Sequence, residues 1–553
     1  MRHRKVVAVV VLAAAAVLST AGFAASQPLS AEQRQGVDKV LAAFDKVDSP
    51  GCAVAVYRNS EIAYARGYGR ASLEHGVPIT PQTVFDIGST SKQFTAFSIL
   101  LLERDGKLSL EDDVRKFVGE LQPLDKPVTI RHLLLHTSGL RDYLTLWALA
   151  GMKTENWTTQ ADAVRLAARQ RRANFVAGEE WLYSNTGYLL LGEIVRRVSG
   201  KSLGEFAAER LFTPLGMTHT FFLEDHTQVV PGRATGYAPR EGGGFSVEMS
   251  DFEQTGDGAV QTTVEDLLRW DSNFYEPKVG DRALLERAQT VGSLNNGKAL
   301  DYAAGLMIGA YRGLPIVRHG GAWAGYRADL LRFPTAKTSV ACLCNLGSTN
   351  PSALADGVAD IVLAAQLKPR DGIAAAESRP AVAVPLARLD NLAGFYENTA
   401  TGAFRRFTVK AGALETNGQP LKAVASDRFL PPAPGVAFYF PPPSPGAVQA
   451  MHVLRDGREP EVHQLVERPG TANLNELTGM YYSDELDVTW TLALRDGQLT
   501  AQVLNDSPTV LTIVKPDVFV GGGLVVRFER EAGVVRRLSV QAGRVTNIVF
   551  ARR

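Results

Sequence analysis

The sequence predicts an α+β fold: an antiparallel sheet flanked by helices with a helical insertion, followed by two small antiparallel β-barrels. Three observations carry that expectation. Strand-like runs stand near both ends of residues 30–366, with helical pattern between them. Around 367–388 the texture changes to Lys-Pro-Arg-Asp-Gly and then an Ala/Val/Pro-rich run, which reads as a linker. Beyond it lie short strand-like runs in which Leu392-Ala-Gly-Phe-Tyr396 recurs as Leu477-Thr-Gly-Met-Tyr481, an offset of 85 residues. A chain of 553 residues is too long for one ordinary core, and about three domains are expected.

Taken in order, residues 1–26 read as a secretory signal. Arg2, His3, Arg4 and Lys5 form a basic start, Val6 to Leu18 is uninterruptedly apolar, and small residues follow around Gly22, Ala24 and Ala25. The apolar run is too short to span a bilayer comfortably, so an exported protein, periplasmic or extracellular and without a transmembrane segment after cleavage, is expected. Cys52–Tyr57 and Ile62–Arg66 flank the turn Arg58-Asn59-Ser60 as a hairpin. Thr90 to Asp105 has helical period, with Phe94, Phe97 and Leu101 on one face and Gly106 as its stop. Residues from about 110 to 280 are mostly helical pattern, and strand character returns at Leu314–Arg318, Tyr326–Phe333 and Ser339–Leu346. Both ends of residues 30–366 should therefore complete one sheet. The repeat divides the remainder into barrels at 389–470 and 471–553; Gly412 maps onto Gly497, Leu414 onto Leu499, and Asp427-Arg-Phe429 has a looser echo in Asp517-Val-Phe519. Cys52, Cys342 and Cys344 are expected as buried apolar residues, because two sheet cysteines two positions apart are more often core than a bridge or a metal pair.

Chemistry concentrates in three short stretches. In Gly88-Ser89-Thr-Ser-Lys92 a serine opens a helix and a lysine follows one turn later, on the same face. A serine hydroxyl needs a base to become a nucleophile, and lysine serves only when its pKa is lowered. Ser-x-x-Lys alone is weak, since a chain of this length holds about two by chance. Tyr183-Ser-Asn185 adds a phenol that can shuttle protons and an amide that can hold a carbonyl. His319-Gly320-Gly321-Ala322 ends a strand-like run: the glycines let a substrate backbone lie against the strand edge, and the Ala322 N–H joins that of Ser89 as an oxyanion hole. His319 would supply a hydrogen bond or positive charge.

These three motifs, in this order, resemble the serine β-lactamase and penicillin-binding protein superfamily. Leu133-Leu-Leu-His136-Thr-Ser-Gly139-Leu and Gly320-Gly-Ala-Trp-Ala-Gly325-Tyr match as well. The resemblance implies a β-lactamase/transpeptidase-like fold over about 30–365 and catalytic roles for Ser89, Lys92 and Tyr183, with Asn185, His319, Gly320, Gly321 and Ala322 binding substrate. Class C β-lactamases carry Lys-Thr-Gly where His319-Gly-Gly321 stands, so efficient β-lactam turnover is not expected. The two appended units, lipocalin-like barrels by this resemblance, are similar to those of D-aminopeptidases. In that family a barrel loop brings an acid to the substrate's amine; Asp506 and Asp517 are candidates that no motif selects. The resemblance therefore implies a D-aminopeptidase or other D-amino-acid-specific peptidase. Small-ester hydrolysis and D-alanyl-D-alanine carboxypeptidase activity are the alternatives, and a non-catalytic receptor for peptidoglycan fragments or β-lactams is the rival from another class.

Other constellations fail. There is no Walker or dinucleotide glycine pattern and no His-Glu-x-x-His. His132 and His136 lack an acidic neighbour and read as structural, so neither a metal nor a cofactor is expected. With 59 Lys and Arg against 58 Asp and Glu, nothing in the charge balance invokes nucleic acid. The expected partner is a small peptide or ester, peptidoglycan fragments included; the sequence leaves the oligomeric state open.

Overall fold

The computed structural model describes residues 28–370, 372–432, 435–443, 447–455, 459–467 and 473–553; the signal segment expected at 1–26 lies outside them. The strands from the two ends of the first region do form one six-stranded antiparallel sheet. Its order is Met307–Tyr311, Leu314–Trp323, Tyr326–Phe333, Thr338–Cys344, Cys52–Arg58, Glu61–Tyr68. The strand Cys52–Arg58 is buried on both faces, and alternation sorts its side chains. Ala53, Ala55 and Tyr57 join the large core beneath the sheet, while Cys52, Val54 and Val56 meet the terminal helices Ala31–Leu41 and Pro351–Val362 on the other side. No helix among the described residues is long and apolar enough to cross a membrane.

The helix expected at 90–105 runs from Lys92 to Arg104, preceded by a 3-10 turn at Gly88–Ser91. It has no solvent face: every residue from Lys92 to Leu102 is buried, so the helix is the central pillar of the domain. Phe94 and Phe97 pack on Trp270 at ring separations of 4.8 and 5.3 Å. The strand carrying His319 is longer than expected and continues through Gly320 and Gly321 to Trp323. Its neighbour Met307–Tyr311 pairs with it only as far as Arg318. On that side residues 319–323 have no strand partner among the described residues, and the 3-10 turn of Ser89 packs there instead.

The cysteines depart from expectation. Cys52 and Cys344 face each other across paired strands and form a disulfide, Cα–Cα 4.0 Å, while Cys342 alone is free and buried. The two bonded residues are 292 positions apart in sequence, and only the closing of the sheet by both ends makes them neighbours.

After the helix Leu386–Leu392 come the two β units. The first is a nine-stranded antiparallel sheet whose edge strands, Gln419–Pro420 and Lys422–Ala425, are joined by Leu421 alone, so the sheet curls nearly shut. The second is a closed barrel of eight strands from Gly479 to Arg552. The repeated motif plays one part in both. Tyr396 donates its hydroxyl to the Leu392 carbonyl at 3.1 Å, and Tyr481 to that of Leu477 at 2.9 Å. The looser echo holds too: the Phe440 N–H bonds the Asp427 carbonyl and the Phe528 N–H the Asp517 carbonyl, each at 2.8 Å.

Candidate active site

The 3-10 turn places Ser89 at the head of the central helix, half-buried, on the wall of a cavity of about 660 Å³. The cavity is also lined by Tyr183, Asn185 and the strand segment His319–Ala322, so the residues singled out in the sequence come together. Lys92 lies behind Ser89 rather than on the cavity wall. Its Nζ is 3.0 Å from Ser89 Oγ, 2.9 Å from Asn185 Oδ1 and 2.6 Å from the Asp257 carbonyl oxygen. Lys92 is fully buried, and loss of hydration lowers its pKa to about 7. Asp257 opposes that shift, and the positive charge of Arg544 assists it.

Proton accounting at Nζ is informative. A neutral amine has two N–H donors and one lone pair. Asn185 Oδ1 and the Asp257 carbonyl can only accept, so they take both N–H groups. The lone pair is left facing the Ser89 hydroxyl, the arrangement of a general base.

Tyr183 stands in the turn before the helix Asn185–Ser199. Its hydroxyl is buried and makes no hydrogen bond of full geometry among the described residues. Burial raises its pKa, partly offset by the nearby Ser89 hydroxyl and by Arg544. A buried phenol next to Ser89 is placed to hand on a proton. The turn is braced by His136, which has a left-handed φ of 59°. The His136 carbonyl accepts the Leu182 N–H at 3.0 Å and its Nδ1 accepts the Ser184 N–H at 3.2 Å, with the ring 4.1 Å from that of Tyr183. His136 is therefore a bracket for the Tyr-x-Asn turn, and burial drives its pKa well below the usual value. His132 instead caps its own helix, its Nδ1 accepting the Thr129 N–H at 3.1 Å.

His319 departs from one expectation. It is buried, and its pKa falls to about 4 through desolvation and the nearby Lys92 charge, so at neutral pH it carries no positive charge. Its Nδ1 is 2.6 Å from the Gly320 carbonyl, which can only accept, so Nδ1 bears the proton. Nε2 then accepts from the Tyr302 hydroxyl at 3.0 Å. With both nitrogens engaged, His319 fixes the strand rather than offering a charge. The glycines also differ in purpose. A Cβ on Gly321 would fall 1.8 Å from the Ile87 carbonyl oxygen, whereas one on Gly320 would meet only ordinary contacts. Gly88, at φ 48°, likewise has Ala322 N 2.7 Å from where a Cβ would stand. Gly321 and Gly88 thus let the strand and the nucleophile turn touch, which brings the Ala322 N–H up to the turn of Ser89.

A profile of the Beta-lactamase family matches residues 37–365. The chain belongs to that family. Penicillin-binding protein 4* of Bacillus subtilis (strain 168) is 32% identical over 309 residues, 53% of this chain and 67% of its own. The D-aminopeptidase of Gluconobacter oxydans (strain 621H) is 27% identical over 546 residues, covering 95% of this chain and all of its own. Among solved structures, an octameric penicillin-binding protein homologue from Pyrococcus abyssi superposes with a TM-score of 0.57 at 24% identity, over 78% of this chain and 99% of that one.

Sequence reasoning missed several cavity residues, among them Asp257, whose carbonyl holds Lys92, and Arg544. Arg544 comes from the turn between the strands Val534–Ala542 and Val545–Arg552 of the closed barrel. Its guanidinium carbon lies 4.7 Å from the centre of the Tyr183 ring, and its Nη1 is 3.5 Å from Asp142 Oδ2. A barrel loop does reach the site, but it brings a cation. Asp506 pairs with Lys153 and Asp517 with Arg530, and neither lines the cavity. The one sequence signal for Arg544 is its place after Gly543 in a hairpin turn.

Proposed function

We propose that the protein is a secreted serine hydrolase that cleaves amide bonds of short D-residue peptides through an acyl-enzyme. The observation that carries this reading is the buried amine of Lys92, whose two acceptor neighbours leave its lone pair to the Ser89 hydroxyl. Ser89 Oγ attacks the substrate carbonyl carbon while Lys92 takes the hydroxyl proton. The N–H groups of Ser89 and Ala322 receive the charge that develops on the carbonyl oxygen. The C–N bond breaks as the proton passes by way of the Tyr183 phenol to the departing nitrogen, leaving an ester on Ser89. Water then adds to that ester, its proton takes the reverse path, and the acid is released with Ser89 restored.

The strand segment Gly320–Trp323, which lines the cavity and has no strand partner on that side among the described residues, offers backbone along which an extended peptide can lie, with Asn185 also on the cavity wall. The D-residue preference is supported by relatives named as D-aminopeptidases over nearly the whole chain, barrels included. Export is supported by the signal-like start and by the Cys52–Cys344 disulfide, which suits an oxidising compartment.

The test pairs a fluorophosphonate probe with D-alanine p-nitroanilide as substrate. The wild-type chain is expected to be labelled and to turn over. Ser89→Ala should lose labelling and on the order of 10⁴-fold or more of its turnover. Equal labelling of both proteins would remove Ser89 from its role. A wild-type chain that binds muropeptides yet is neither labelled nor active would be a receptor.

A further inference from the structure

We propose that Arg544 is the specificity-determining residue of the site: it takes a free carboxylate on the leaving-group side of the scissile bond, so the favoured substrates are peptides ending in an unblocked C-terminal D-residue. This rests on the acyl-enzyme reading above and narrows it.

The turn that carries Arg544 is built to stay where it is. Asn174 donates its side-chain amide to the Arg544 carbonyl at 2.9 Å and accepts the Thr546 N–H at 2.8 Å and the Thr546 hydroxyl at 3.0 Å. Arg141, fully buried, donates to the Asn547 carbonyl at 2.8 Å and pairs with Glu485 at 3.0 Å. The backbone is thus clamped from the catalytic side, while the Arg544 side chain remains 42% exposed. Its anchor is Asp142, whose two oxygens already accept from the Asn185 N–H and from the backbone N–H and hydroxyl of Thr145. That single ion contact at 3.5 Å leaves most of the five guanidinium N–H groups for a ligand.

Position assigns the side. Tyr183 is the group that passes the proton to the departing nitrogen, and Arg544 lies against its ring. The α-carboxylate of a departing amino acid is borne on the carbon next to that nitrogen, which brings it to Arg544. A planar guanidinium suits a carboxylate in two-point contact. The other cations lining the cavity are held differently. Arg318 is bound to Asp329 and Asp356, Arg327 gives its Nη1 to the Ala324 and Tyr326 carbonyls, and Arg233 has Asp86 as an electrostatic neighbour. Of the acids lining the cavity, Asp86 accepts from the Gly88 N–H and Gln261, Asp257 from Tyr143, and Asp329 from Ser352 as well as Arg318. These acids are buried and already accept hydrogen bonds, whereas Arg544 is part-exposed on the cavity with a single ion contact at 3.5 Å and can meet a substrate carboxylate.

The test measures kcat/KM for D-alanyl-D-alanine and for its C-terminal amide, in the full-length protein, at a pH well above the ionisation of Lys92. The wild type is expected to favour the free acid. In Arg544→Gln the ratio of the two values should fall about 10- to 100-fold, chiefly through KM for the acid, and Arg544→Lys should restore part of it. Thermal unfolding of each variant monitors the fold. An unchanged ratio in Arg544→Gln, or a wild type that favours the amide, overturns the assignment. If the wild type is labelled on Ser89 and cleaves both substrates equally, only this inference fails; if it is neither labelled nor active, the acyl-enzyme reading fails with it.

Discussion

The two β units share a sequence repeat and the same tyrosine-to-carbonyl bond, yet they stand in different relations to the rest of the molecule. The first keeps its own core, built from residues such as Phe407, Phe438 and Met451. Its outward packing takes in Ile373 and Ala376 of the short helix Gly372–Glu377, and Phe395 sits with Val514, Val520 and Val525 of the second barrel. The second barrel shares one buried cluster with the catalytic region: Tyr143, Leu146, Trp147 and Leu149 pack with Trp490, Leu492 and Phe550. Trp490 donates to the Leu149 carbonyl at 2.9 Å, and the same barrel sends Arg544 into the cavity. Two copies of one motif have thus diverged into a flank and a wall of the site. A repeat tells how a unit is built, whereas docking decides what it does.

Ion pairs give the widest contrast. Arg141 and Glu485 join the catalytic region to the second barrel with side-chain exposures of 0 and 9%. Removing either partner should strand a buried charge and cost about 3–5 kcal/mol. Lys515 and Glu397 join the two barrels at a part-exposed site, and breaking that pair should cost about 1 kcal/mol or less. Urea unfolding of Glu485→Ala and Glu397→Ala measures both. Equal losses would mean that the second barrel is no more integral than the first.

An effect of similar small size concerns what the barrels have in common. Tyr396→Phe and Tyr481→Phe each delete one hydrogen bond from a buried ring, and each should cost about 1 kcal/mol in the same assay. A much larger loss at one position would show that the shared motif bears different loads in the two units.

Much of this was legible in the sequence, and the failures have physical causes. Ser89, Lys92, Tyr183, Asn185 and the His319 strand were found because helix period and short motifs write local geometry directly into residue order. The closing of one sheet by both ends was legible from the strand pattern, but its consequence, the Cys52–Cys344 bond, requires a register that no local signal contains. The neutrality of His319 depends on burial and on the nearby Lys92, both tertiary facts. His136 reads as one more structural histidine until its left-handed backbone is seen holding the Tyr183 turn. Arg544 could not be selected at all, since a hairpin turn becomes part of a site only through the docking of the barrel that carries it.

The state of Lys92 is the centre of the proposed mechanism, and the pH dependence of Ser89 labelling by a fluorophosphonate measures it most directly. The lysine pKa is depressed, so the base form appears as pH rises through about 7. The second-order labelling rate should climb through that region and level off above it, and Lys92→Arg should abolish it. A rate that is flat across that range, or that falls away only near the much lower pKa of His319, would contradict an uncharged lysine as the base.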